Sequence, residues 1–260
     1  MIFIGLDLAW SQKNNSGLAV IEGDRKQGKL VSAGLALSDE EILDSVSKAT
    51  GMNPALIAID APLVVPNKTG RREAERIVGD LFRKYDAGAH PSNRERLGAW
   101  SGGKIRGEEI VKSLEGIGFA HDPVLGGYEE ARKIFEVYPH PSMVVLFGLD
   151  RILRYKAKPN RDPGFRIGEF ERYERLLEGL NGASPSLRIG KKFLLGKKME
   201  HLGGAELKRH EDTLDAVFCA YLAYYYWANP QKCAILGSLK EGYIMTPVFN
   251  HMKGKQSSLL

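Results

Sequence analysis

Cysteine is scarce, with two residues, Cys219 and Cys233, in 260. Two thiols exclude a disulfide framework, and nothing in their spacing suggests a zinc site. Cys219 lies in an apolar run of helical spacing and reads as a small packed hydrophobe. Long hydrophobic runs are missing too: no stretch reaches the ~20 apolar residues of a membrane span. The first residues show no basic segment and no small-residue cleavage site, so the expected location is cytoplasmic. No Gly-x-x-x-x-Gly-Lys-Ser/Thr phosphate loop occurs, nor any internal repeat or low-complexity tract. What is present is ordinary for a globular chain: 43% apolar and 27% charged residues, at a length that supports a full core.

Lys and Arg number 37 against 32 Asp and Glu, a net charge of +5. A mildly basic balance permits a polyanionic partner without requiring one. The bases gather in GRREAER (70–76), PSNRER (91–96) and RIGKKFLLGKK (188–198), outside the expected strands.

Periodicity predicts three buried strands over 2–9, 16–23 and 29–37, joined by short polar turns as an antiparallel meander. A capped helix with acidic first turn follows over 38–49, then a fourth strand over 55–63. Strand, helix, strand implies a right-handed crossover to a parallel neighbour. Helices are expected over 72–85, 105–118, 142–149, 168–180 and 208–228, an irregular loop over 86–103, and a fifth strand over 133–141. A short hairpin at 233–237 and 242–247 closes the chain, before a polar tail expected to fray.

Acids fall where apolar residues would be the default. Asp7 sits within the opening strand MIFIGLDLAW, and Asp60 ends LIAIDAPL. Glu136 stands among the apolar residues of IFEVYPHP. In HEDTLDAVFCAYLA, Asp212 and Asp215 are spaced i,i+3 and Glu211 and Asp215 i,i+4, on neighbouring helix turns. A buried carboxylate costs several kcal/mol unless paired, hydrogen-bonded or bound to a metal. Each has a structural alternative. Asp7 could cap a turn with Ser11, Asp60 could fix the turn before Pro62, and Glu136 could pair with Arg72. Glu211 and Asp212 could favour a helix start. As a set, like charges repel, and a hard divalent cation, Mg²⁺ or Mn²⁺, removes the repulsion. Two such ions ~4 Å apart would hydrolyse a phosphodiester, with the basic clusters on the phosphates.

The order strand-Asp, two antiparallel strands, helix, strand-Asp and a late Asp-x-x-Asp helix resembles the RNase H-like fold. GLDLAW, AIDAPL, GAHPSN, EVYPHP and HEDTLDAVFCAYLA together look like an uncharacterised prokaryotic family of predicted RNase H-like nucleases. The resemblance runs from Met1 to about Pro247. It implies an α/β fold: a mixed five-stranded sheet, three antiparallel strands then parallel ones, flanked by helices. A single domain over 1–247 would carry insertions near 63–132 and 140–208, with a tail at 248–260. The acids' placement is similar to Holliday-junction resolvases, which implies Asp7, Asp60, Asp212 and Asp215 as metal ligands and Glu136 as a further catalytic member. Ribonuclease H itself carries its second acid on the first helix. Here Asp39, Glu40, Glu41 and Asp44 read as first-turn acids, which argues against a plain hybrid hydrolase.

Candidate substrate contacts are Arg71 and Arg72 after the Asp60 strand, Ser92 and Asn93 in the irregular loop, His140 ending the Glu136 strand, and Lys208 before the acidic helix. Each also has a structural reading as a solvated face, a turn or a strand end. The aromatic run 224–227 reads as packing at a helix end. The expected function is a divalent-metal-dependent nuclease acting on DNA or RNA; a junction-like substrate would favour a homodimer. Two rivals stand beside it. One is a non-catalytic scaffold binding nucleic acid or protein. The other is an actin or sugar-kinase-fold phosphotransferase, against which DLAWSQKNNSG lacks the Asp-x-Gly-Thr-Thr pattern.

Overall fold

A computed structural model describes residues 1–99, 101–159 and 161–253, apart from the side chain of Lys197. The strands and helices run, in chain order, β1 (Ile2–Asp7), β2 (Ser16–Gly23), β3 (Gln27–Ala36), α1 (Asp39–Thr50), β4 (Ala55–Asp60), α2 (Glu73–Phe82), α3 (Arg94–Gly98) and α4 (Arg106–Gly116). They continue as β5 (Ala120–His121), β6 (Arg132–Glu136), α5 (Pro139–Phe147), α6 (Pro163–Gly179), β7 (Ser186–Arg188), α7 (Gly204–Ala228), β8 (Cys233–Ser238) and β9 (Gly242–Pro247).

One mixed sheet of seven strands, ordered β5-β6-β4-β1-β2-β3-β7, forms the centre. β1, β2 and β3 pair antiparallel, and every other neighbouring pair is parallel. The expected count of five is corrected to seven. The two extra strands, β5 and β7, come from the two long insertions and extend opposite edges of the sheet. They are two and three residues long, too short to show a hydrophobic period. The fifth strand also ends earlier than expected: proline at 139 opens α5 instead of closing the strand, as suits the first turn of a helix. α3 interrupts the expected irregular loop, capped by Asn93, whose side chain accepts from Arg96 N at 2.9 Å.

Alternation along the strands sorts side chains between two cores. Ile2, Ile4 and Leu6 of β1, with Ile57 and Ile59 of β4, pack under Ile42 and Val46 of α1 and Ile110 and Leu114 of α4. Phe3, Leu56 and Ala58 face the other core, filled by α7, α2 and α5. Parity therefore places Asp7 and Asp60 on the α7 face. Glycine lets α7 come in closely. A Cβ on Gly5 would stand 2.0 Å from the Ala216 carbonyl oxygen, and one on Gly17 1.9 Å from that of Asp212. The backbone of α7 rests directly on β1 and β2, which only a residue without a side chain allows.

Tyr224, Tyr226 and Trp227 are buried, and their polar atoms donate to the Asp24, Pro123 and Glu129 carbonyls. The aromatic run is packing, as read from sequence. Cys219 is fully buried. No described helix is long and apolar enough to cross a membrane. Of the expected polar tail, residues 254–260 lie outside the described residues.

Candidate functional site

A cleft of about 920 Å³ opens at the carboxyl ends of β1 and β4. Ligand sites in α/β sheets gather at this end of parallel strands. Its floor holds Asp7 and Asp60, which are partners in the parallel register of β1 and β4. Among the described residues neither carboxylate has a hydrogen-bond or ion-pair partner. The turn-capping alternatives therefore fail: Ser11 Oγ accepts from Lys13 N instead, and Ala9 N donates to Ser16 Oγ.

Electrostatics follow from this crowding. Burial, then the charge of Asp215, holds the Asp7 carboxyl well above the usual carboxylate range, against the pull of Lys156. Burial raises Asp60 to about 7, with Lys156 opposing and Asp215 adding to the rise. Two neighbouring acids that resist ionisation are the mark of an uncompensated cluster.

Asp215 is fully buried on α7 and is compensated. It accepts from Tyr155 Oη at 2.6 Å and Tyr173 Oη at 3.3 Å, both through Oδ1. Its Oδ2 lies 2.9 Å from Lys156 Nζ. Asp212 and Glu211, one turn back, share Lys208, whose Nζ is 2.7 and 2.6 Å from their oxygens. Burial raises both acids and Lys208 lowers them. Lys208 thus reaches the cleft already paired, as a bridge between two helix acids.

Glu136, expected as a further catalytic member, lines the cleft but has its carboxylate engaged by protein donors. In register it stands beside Ile59, not Asp60. One position along a strand exchanges faces, so its backbone register differs from that of the Asp pair, yet its side chain lines the same cleft and its charge reaches Asp60. Its oxygens are taken by Arg72, with Nη2 at 2.6 Å and Nη1 at 3.0 Å, and by Leu63 N at 2.8 Å. Arg72 also donates to Glu75 and to the Val64 carbonyl. The alternative reading, a buried pair with Arg72, is the one observed. Arg72 lines the cleft, but its guanidinium is nearly inaccessible and is engaged by Glu136, Glu75 and the Val64 carbonyl.

The other candidates divide. Ser92 and His140 line the cleft. His140 Nδ1 is buried with no partner among the described residues, and burial lowers this imidazole to about 3, so it is neutral. Asn93 caps α3 and donates to the Gly70 carbonyl, which uses its amide structurally. Arg71 is exposed and does not line the cleft. Of the α1 acids, Asp39, Glu40 and Glu41 form the first turn as expected, with Asp39 held by Arg106 at 2.8 Å, whereas Asp44 lies a turn further on and pairs with Lys48.

The insertion between α5 and α6 supplies what sequence reading missed. Lys156, Lys158 and Arg161 line the cleft, facing Lys13 and Arg209 from other elements. Their signal was the segment RYKAKPNRDP (154–163), where bases alternate around a tyrosine. The rim also carries Trp10, 43% exposed, with the Arg96 guanidinium 5.3 Å from its ring centre. The arrangement is a carboxylate floor within a cationic rim, suited to a phosphoester held by bases above acids.

Comparison with known proteins gives one partial relative and one family. A 50-residue stretch is 48% identical to the Holliday junction branch migration complex subunit RuvA of Rhodococcus jostii (strain RHA1), covering 19% of this chain. The chain spans about a quarter (24%) of that protein's length. The family described as protein of unknown function (DUF429) matches residues 5–236, a span that takes in Asp7, Asp60, Lys156, Asp212 and Asp215, and the chain belongs to that family.

Proposed function

We propose that the chain is a divalent-metal-dependent nuclease of RNase H-like fold that hydrolyses phosphodiester bonds in the cleft above Asp7 and Asp60. The observation that carries this reading is the in-register pair Asp7 and Asp60, both without hydrogen-bond partners among the described residues and both on the face covered by the Asp212/Asp215 helix. The central order β3-β2-β1-β4-β6, antiparallel then parallel, agrees with the fold expected from sequence. The cationic rim supports a polyanionic substrate. The partial match to a Holliday junction complex subunit favours nucleic acid among phosphoesters.

The donors suit the ion. Asp7 and Asp60 offer hard oxygens whose charges repel, and Mg²⁺ or Mn²⁺ takes one or two carboxylates and completes its shell with water. Among the described residues, no three His, Cys, Asp or Glu side chains form a metal-holding group. The fit therefore rests on the two strand acids. When bound, the cation supplies Lewis acidity and neutralises charge on the phosphoryl oxygens. The protein's part is to hold the phosphodiester: Lys158, Arg161 and Arg209 line the cleft as phosphate partners. Neutral His140 adds a hydrogen-bonding nitrogen beside them. Water's oxygen joins phosphorus, the ester oxygen leaves, and the proton passes to the leaving side.

The test is Mg²⁺- or Mn²⁺-dependent cleavage of single-stranded, duplex and four-way-junction DNA and of RNA. Wild type should cut at least one substrate, and Asp7→Asn and Asp60→Asn should lose turnover while keeping the fold by circular dichroism. Equal cleavage by Asp7→Asn would overturn the reading. The scaffold alternative is favoured if oligonucleotides bind with no metal and none is cut.

A further inference from the structure

Lys156 is in an unusual position for a surface lysine. It lies on the connection between α5 and α6, and its ammonium reaches the most buried acid of the cluster, 2.9 Å from Asp215 Oδ2. That oxygen has no hydrogen-bond partner of acceptable geometry among the described residues. The contact is thus a charge placed against a charge, not a directed hydrogen bond. Asp215 is otherwise fixed by two tyrosine hydroxyls on its other oxygen. Lys156 is also 32% exposed and lines the cleft. A lysine serving only to neutralise a buried acid would have no reason to open toward the ligand space.

We propose that Lys156 is the second positive centre of this site, so that the chain binds one divalent cation, on Asp7 and Asp60, and not two. This rests on the metal-dependent reading above. In a two-ion phosphodiester site, both cations balance the attacking and leaving oxygens. Here Asp215, the acid that would complete a second ion's ligand set, already holds a cation that belongs to the protein. Lys156 combines an oxygen-seeking ammonium on the acid side with exposure on the substrate side. A phosphate lying over Asp7 and Asp60 would meet it directly.

The measurement is the number of Mn²⁺ ions bound by the full chain, counted by electron paramagnetic resonance titration with calorimetry, in wild type, Lys156→Gln, Lys156→Arg and Asp7→Asn. Wild type should bind one ion, and Asp7→Asn none. Lys156→Gln should free Asp215 and bind two, while Lys156→Arg should return the count to one. Two ions in wild type, or one ion in both wild type and Lys156→Gln, overturns the assignment and leaves the metal reading standing. No ion in any of the proteins, with an oligonucleotide present, overturns the metal reading itself. Should Lys156→Gln fold poorly, Lys156→Met takes its place with the same two outcomes, and two ions in wild type overturn the assignment without any variant.

Discussion

Two groups of acids sit side by side at one end of the sheet, Glu136 of β6 with Glu75 of α2 and Asp7 of β1 with Asp60 of β4, and they solve the same problem differently. Glu136 and Glu75 share Arg72, and each described oxygen of Glu136 has a donor. Asp7 and Asp60, one strand away, have none among the described residues. The first group is closed: its guanidinium and carboxylates are nearly inaccessible, and nothing remains for a ligand to satisfy. The second is open at the cleft floor and carries excess negative charge. Burial alone therefore does not tell the two groups apart; the completeness of their compensation does.

The comparison can be broken from either side. Arg72→Met has the largest expected effect, since it strands Glu136 and Glu75 in the core. It should cost ~3–5 kcal/mol in urea unfolding while leaving the Asp pair in place. Gly5→Ala breaks the other side. Its methyl meets the α7 backbone, which cannot swing aside, and a loss of about 3 kcal/mol is expected in the same assay, as α7 and its Asp215 are pushed off the sheet. Tyr155→Phe removes one charge-assisted bond to Asp215 and should cost about 1.5 kcal/mol in the same assay.

Asp7→Asn should act in the opposite direction, stabilising the metal-free protein at pH 8 by ~1 kcal/mol while abolishing metal binding. The pH dependence sharpens this. An acid raised in the folded state destabilises only where it must ionise. The penalty is absent below the ordinary carboxylate value of 3.8 and complete above the folded value, about 7 for Asp60. Metal-free wild type should thus lose stability as pH rises through that window, and Asp7→Asn should flatten the slope, as read by thermal melts. Arg71→Ala has the smallest effect expected: within about 0.5 kcal/mol in stability and no change in metal binding, because the residue is exposed and outside the cleft.

How much was legible follows from range. Asp7 and Asp60 were visible because a carboxylate in an otherwise apolar strand violates the local pattern. Asp212 and Asp215 were visible because helical spacing puts them one turn apart. Glu136 showed the same violation and turned out different, because its fate depends on a one-residue offset in register with β4 and on Arg72, 64 positions away in sequence. Lys156 left almost no signal. A lysine among bases in a coil segment looks solvated, and its partner Asp215 lies far along the chain. β5 and β7 were equally hidden, since two or three residues paired at a sheet edge carry no period.

The amino-acid sequence by itself determined the alternation of strands and helices, the apolar character of the central strands, and the presence of four aspartates in core elements. Those properties are local, set by spacing and by the free energy of burying each residue. Only the tertiary structure decided which acids face one another and which are neutralised. Register fixed Asp7 beside Asp60, the bare backbone at Gly5 and Gly17 let α7 bring Asp215 down to them, and long-range pairing gave Arg72 to Glu136 and Lys156 to Asp215. Charge compensation depends on distance in space, and that distance exists only once the chain has folded.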